Sequence, residues 1–181
     1  MENPNFWKEK YSFLWDPASK REEIIKKFIE QLGYKVEYYG LGAGTTNFIS
    51  GSARDNDKEK GAPDLHIVGT NIFIEVTGSF GKNTKAEDPI WIRTDKLDYA
   101  HKHRFENEEF FVVNYKFADV WYVIHYNNEL IEHIRATKEK TDFRTIHPFI
   151  KRCRETFVEI DSQSKYVQDL SYLKKYLEMK K

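Results

Sequence analysis

One cysteine, Cys153, among 181 residues excludes an intramolecular disulfide framework and fits a reducing compartment, so a cytoplasmic location is expected. There is no net charge: 29 Lys plus Arg balance 29 Asp plus Glu. That argues against a wholly basic nucleic-acid coat, while leaving room for a local basic surface offset by an acidic site. No apolar run approaches the length of a membrane span, and the opening "MENPNFWKEKYSF" has no apolar core. Neither a membrane anchor nor a secretory leader is therefore expected. Repeats and low-complexity tracts are missing, and no His/Cys spacing suggests zinc. "GLGAGTT" at 40–46 lacks the Gly-Lys-Ser/Thr ending of a phosphate loop, which discounts nucleotide binding. Its main-chain amides could instead approach a DNA backbone.

What is present is globular. Hydrophobic residues make up 40% and aromatics 15%, enough for one domain over 1–181 with a core. Residues 1–15 carry Phe6, Trp7, Tyr11, Phe13 and Trp15 and are expected to form an N-terminal arm on the body. A helix should follow, with Asp16 or Ser19 at its N-cap, Pro17 in its first turn, Gly33 at its stop, and a stripe of Ile24, Ile25, Phe28, Ile29 and Leu32. Residues 34–39 alternate like a strand, and 40–63 form a long polar loop of the kind that is functional or mobile. "GAPDLHIVGTNIFIEVTGS" (61–79) reads as two strands around a turn, followed by a second loop at 80–89. A short helix over 93–105 and two buried strands, 109–115 and 119–126, come next. Beyond 129 the pattern is mixed, with a strand at 156–160 and a terminal helix over 166–180. The order implies an α/β sandwich around a mixed sheet.

The hairpin carries the chemistry. A two-residue type II′ loop at Gly69-Thr70, or a four-residue loop Val68–Asn71, places Asp64 opposite Glu75. Two carboxylates facing each other across a strand pair repel and need a counter-charge. A divalent cation such as Mg²⁺ supplies one, because it accepts carboxylates, waters and phosphate oxygens together. The competing reading has Asp64 pointing to solvent after Pro63. On the first helix, Glu22 shares the inward face with Ile25 and Ile29, whereas Glu23 lines up with Lys26, Lys27 and Glu30 outside. Ser19-x-x-Glu22 also fits a capping box, which competes with a site role.

Pro63-Asp64, then Glu75-Val76-Thr77, with Glu22 on the preceding helix, resembles the PD-(D/E)XK nuclease superfamily, the restriction-endonuclease-like fold. The helix "EEIIKKFIEQLGY" and its strand are similar to the opening of archaeal Holliday-junction resolvases of that superfamily. The resemblance implies a restriction-endonuclease-like mixed β-sheet core flanked by helices over 16–126, with 1–15 as an arm and 127–181 as a C-terminal extension. It implies Mg²⁺-dependent hydrolysis of DNA phosphodiester bonds, with Mn²⁺ able to substitute. Asp64, Glu75 and the Val76 carbonyl would bind the metal, and Glu22 would reach it through water or a second ion.

The chain departs from the pattern at Thr77, where the family has lysine. A threonine has no charge with which to favour hydroxide or neutralise a phosphate. Lys96, on the helix expected to pack over Glu75 and on one face with Tyr99 and His103, is the chosen replacement. Lys82 and Lys85 lie in a loop that holds a charge less well. In the competing readings Lys96 is solvated, Thr77 orients the attacking water, or the site is degenerate. His66 shares a strand face with Asp64 and is a candidate neighbour of the site. Arg54, Lys58 and Lys60, and Lys151, Arg152 and Arg154, are candidate phosphate contacts. The C-terminal extension favours a restriction-enzyme-like DNA endonuclease. The alternatives are a junction-resolvase-like nuclease, which needs a symmetric homodimer, and a non-catalytic DNA-binding or assembly module.

Overall fold

The computed structural model describes residues 6–40, 59, 61–78, 84–136, 143–150 and 153–181. The first helix, α1 (Phe6–Gln31), runs without interruption and has Pro17 inside it, so it does not begin at Asp16 or Ser19. The spacing explains why. Trp7, Tyr11, Leu14, Ala18, Glu22, Ile25 and Ile29 step by three and four, so one helical stripe continues through the proline. Ser19 is therefore mid-helix and cannot cap it, which removes the capping-box account of Glu22. At the other end Gly33 adopts φ +89°, the left-handed stop expected of it.

Three antiparallel strands follow: β1 (Val36–Tyr38), β2 (Leu65–Ile67) and β3 (Ile72–Gly78). The turn between β2 and β3 is the four-residue Val68–Asn71 loop and not the two-residue II′ form. The Thr70 amide donates to the Ile67 carbonyl at 3.1 Å, which puts Gly69 third in the turn at φ +81°, where type II geometry wants glycine.

A short strand that the sequence pattern did not mark, β4 (Ile90–Arg93), leads directly into α2 (Thr94–His103). Then come β5 (Glu109–Phe117) and β6 (Val120–His125). β5 pairs parallel with β3, so α2 is the crossover that a parallel pair requires. The remaining elements are α3 (Asn128–Ala136), β7 (Phe143–Ile146), β8 (Phe149–Ile150), β9 (Cys153–Arg154), β10 (Phe157–Ile160), β11 (Val167–Asp169) and α4 (Leu170–Met179). The final helix starts later than its apolar pattern suggested. Val167–Asp169 pairs with β6, and the Asp169 side chain caps α4 by accepting from the Ser171 amide.

The main sheet has the order β1-β2-β3-β5-β6-β11, mixed in sense, and a smaller antiparallel sheet has the order β4-β10-β7. This is the mixed α/β core flanked by helices that the resemblance implies. On one face, Ile25 and Ile29 of α1 and Leu173 and Leu177 of α4 pack on Ile72, Ile74, Val76, Val113 and Val123. On the other, Leu97, Leu130 and the small sheet's Ile90, Ile92, Phe143 and Ile160 pack on Val112 and Ile124. β3 is thus sandwiched, and its alternation sends Val76 to the α1 side and Glu75 to the α2 side. Among the described residues no helix is long and apolar enough to cross a membrane.

Candidate active site

Leu65 pairs with Ile74 and His66 with Phe73; one more step of that register sets Asp64 opposite Glu75. β2 starts at Leu65, so the Val76 N–H next to Glu75 has no backbone acceptor across from it. Asp64 supplies one: its Oδ2 accepts from Val76 N at 2.8 Å. The Asp64 carbonyl meanwhile accepts from Tyr39 N at 2.8 Å, tying β1 to the same residue. A carboxylate that accepts a backbone N–H is fixed in rotamer, and here its other oxygen, Oδ1, is left to face Glu75 and Lys96. In an extended strand a residue's N–H and C=O lie on the same edge. The Val76 carbonyl is therefore on the β2 side as well.

Lys96 closes the group. Its Nζ lies 2.7 Å from Glu75 Oε2 and 3.9 Å from Asp64 Oδ1, and donates to the Ala62 carbonyl at 2.8 Å. The strand-to-helix junction at Arg93–Thr94 sets the start of α2 over this point. Gly61 lets it come close, because a Cβ there would overlap the Asp95 carbonyl and press on Tyr99. Gly61 is also held at φ +85°. A Cβ at Gly40 would likewise overlap the Pro63 carbonyl. Two glycines thus pin the segment leading into Asp64 between β1 and α2.

The electrostatics are those of a buried, acid-rich cluster. Burial, and next the Asp64 carboxylate, push the Glu75 carboxyl well above its usual range, with Lys96 pulling it back. Burial works against the Lys96 ammonium, but Glu75 and Asp64 outweigh it and the group is raised. Two acids share one lysine, so when both are ionised the trio keeps an excess negative charge. Glu75 Oε2 is buried and accepts no hydrogen bond of good geometry. An all-oxygen donor set with surplus negative charge fits a hard divalent cation.

The other candidates fall elsewhere. Glu22 is buried on α1, 3% exposed. Beside it in the chain is Arg21, a residue that the sequence reading did not single out. It is 7% exposed, feels the charges of Glu22, Tyr115 and Asp64, and would abut a Cβ on Gly78 at the end of β3. Its spacing to Ile25 and Ile29, four and eight residues, carried the signal. Thr77 sits beside Asn114 of β5. Asn114 is 4% exposed and its Oδ1 accepts no hydrogen bond. Lys116, two residues on, is also buried, and burial lowers its pKa. Its ammonium holds the carbonyls of Asp88 and Pro89 and so anchors the loop before β4.

His66 is turned toward the hairpin loop. Its ring nitrogens meet Glu37 Oε1 at 2.8 Å and the Thr70 carbonyl at 3.0 Å, and the ring stacks on Phe73. His125 stacks on Phe111 in the core. Lys85 is exposed, and its amide is bound by Asp88. Arg54, Lys58, Lys60, Lys82, Lys151 and Arg152 lie outside the described residues, and Arg154 is exposed on β9. A separate cluster of His103, Glu106 and Glu108 has ligand atoms within 4.8 Å of one another. Its histidine is already engaged by Glu106 and Glu59.

No family model matches the chain, and no curated protein matches it. Among solved structures, the Holliday junction resolvase Hjc of the archaeal hyperthermophile Archaeoglobus fulgidus is similar at 14% identity and a TM-score of 0.48, over 86% of this chain and 98% of that one.

Proposed function

We propose that this chain is a metal-dependent DNA endonuclease that hydrolyses phosphodiester bonds at Asp64, Glu75 and Lys96. The observation that carries the reading is the convergence of two carboxylates, the buried Asp64 and the largely enclosed Glu75, from opposed strand positions on one ammonium from a different element. A structural ion pair needs one acid and one base; here a buried acid is left over, and that surplus suits a cation.

Asp64 Oδ1, Glu75 and the Val76 carbonyl would hold Mg²⁺ or Mn²⁺, with Glu22 contributing through water. The ion stabilises charge on the phosphate and lowers the pKa of the attacking water. Val76 N–H keeps Asp64 from rotating, so its free oxygen stays aimed at the site. Lys96 supplies the positive charge that Thr77 lacks, favouring hydroxide and offsetting the charge that grows on the phosphoryl oxygens. Thr77, paired across the sheet with Asn114, would orient the nucleophile with its hydroxyl.

Within nucleases, the restriction-enzyme-like reading took 129–164 and the long loop at 40–63 as its recognition surface and leaned on the extra length of 127–181. Much of that stretch builds the fold. β11 joins the main sheet, α4 supplies Leu173 and Leu177 to its core, and α3, β7 and β10 bury Leu130, Phe143 and Ile160. The extra length therefore no longer favours restriction, and the junction-resolvase-like alternative, with its symmetric homodimer, becomes the better of the two.

Plasmid cleavage in Mg²⁺ or Mn²⁺ tests the site. Asp64→Asn keeps an oxygen for Val76 N–H and removes the charge, so it should fold and fail to cut. Cleavage that survives it sinks the assignment. Lys96→Ala should abolish turnover while leaving metal binding measurable; near-native turnover would move the role to Thr77, Lys82 or Lys85. Calorimetry that detects neither Mg²⁺ nor Mn²⁺ binding would favour the non-catalytic DNA-binding module.

A further inference from the structure

The two-stranded ribbon β8–β9 belongs to neither sheet. An isolated two-stranded ribbon is marginally stable in water, so one that joins neither sheet invites the question of what else it does. Phe149 on this ribbon is 71% exposed. Its cross-strand partner is Arg154, and directly paired residues project from the same face. Arg154 is exposed and makes no ion pair among the described residues, so an aromatic ring and a guanidinium stand side by side in solvent.

The ribbon's root lies at the catalytic end of α2. Glu155 N donates to the Pro148 carbonyl at 3.2 Å, and Thr94 N, the first residue of α2, donates to the Thr156 carbonyl at 3.3 Å. Phe157 pairs with Arg93 one residue earlier. Lys96 is therefore two residues from the ribbon's anchor, and DNA lying across Asp64 and Glu75 passes the ribbon's base.

We propose that the β8–β9 ribbon engages DNA at unpaired bases beside the scissile bond, with Phe149 stacking on an unstacked base and Arg154 holding the adjacent phosphate. This rests on the nuclease reading and narrows its substrate to branched or splayed DNA. A ring on a narrow ribbon can lie flat against a base whose face is already open. In an uninterrupted duplex every base face is covered by its neighbours, and Phe149 gains nothing.

The test is equilibrium binding in EDTA, where no cleavage competes. It uses a forked duplex with 2-aminopurine at the first unpaired position and an uninterrupted duplex of the same length. Wild-type protein should prefer the fork and quench the 2-aminopurine. Phe149→Ala should lower fork affinity by roughly 5- to 150-fold relative to duplex affinity, the range for loss of one stacked base, and relieve the quenching. Phe149→Trp should restore both. Arg154→Gln should weaken fork and duplex alike and reduce the salt slope by about one. Wild-type protein that cuts plasmid but binds fork and duplex equally overturns the proposal and leaves the nuclease reading standing, as does a fork preference untouched by Phe149→Ala. Wild-type protein that binds neither DNA overturns both.

Discussion

Replacing Lys96 with methionine keeps a long unbranched stem and removes the ammonium. The side chains of Lys96, Glu75 and Asp64 are 18%, 15% and 8% exposed, so little solvent screens the loss. Removing one partner of a buried ion pair costs about 3–5 kcal/mol, because the remaining charge stays buried without compensation. For a chain of 181 residues, each kcal/mol moves the melting temperature by about 2–4 °C. Lys96→Met should therefore melt about 6–20 °C below the native protein in EDTA at neutral pH. The loss should depend on pH, with a definite sign. Burial and Asp64 already raise the Glu75 carboxyl while Lys96 opposes them, so removing Lys96 raises it further. The folded state then holds a proton that the unfolded state, with a carboxyl near 4.5, releases. Stability from such a group is complete below the unfolded value and is lost as pH rises through the folded one. The deficit should thus be small near pH 5 and grow toward pH 8, by at most about 1.4 kcal/mol per unit. Glu75→Gln in the same background should recover part of it, because Asp64 is then the one acid of the trio left and still accepts from the Val76 N–H. Differential scanning calorimetry of the single and double variants from pH 5 to 8 reads all of this. A Lys96→Met melting temperature within about 2 °C of native across that range would refute the buried trio.

Gly61→Ala meets both a left-handed backbone and the Asp95 carbonyl. It should cost about 1–3 kcal/mol or more, and cleavage should fall as α2 shifts; native melting and native cleavage together would show that α2 is not held by this contact. At His103, burial works against the charged ring, but hydrogen bonds to Glu106 and Glu59 win and raise its pKa. Its stabilisation is present below about 6.5 and lost as pH climbs past the raised value, so His103→Gln should flatten the melting-temperature profile of the metal-free protein between pH 6 and 8. Leu177→Ala, at a fully buried position of α4, should cost about 2–5 kcal/mol in urea titration; under 1 kcal/mol would mean that α4 is peripheral.

Legibility differed by element for physical reasons. The β2–β3 register could be read because a strand's period of two leaves few ways to bury Leu65, Ile67, Ile72 and Ile74 together. The turn type could not, since Gly69 suits either of two turns with the same register. The start of α1 was misplaced because Pro17 looks like a first-turn residue, while the stripe that bridges it was the stronger clue. β4 was missed because three apolar residues between a loop and a helix carry too little periodicity; β10 and the crossover helix hold it in place. That Lys96 is near Glu75 was readable from helix spacing and topology. Arg21 was overlooked because a charged residue on an apolar stripe is easily assigned to solvent, and Asn114 because one amide in an apolar strand carries no pattern.

The sourcing of the lysine from α2 has a consequence for the order in which the site assembles. Asp64 and Glu75 lie on one hairpin and meet as soon as that local loop closes, a small entropic step. At that stage they only repel. Lys96 comes from a separate element and joins them only once α2 docks across the main sheet. A nascent or partly opened chain therefore holds the acids without their cation. Competence for chemistry is thus a property of the docked crossover helix and not of the hairpin alone.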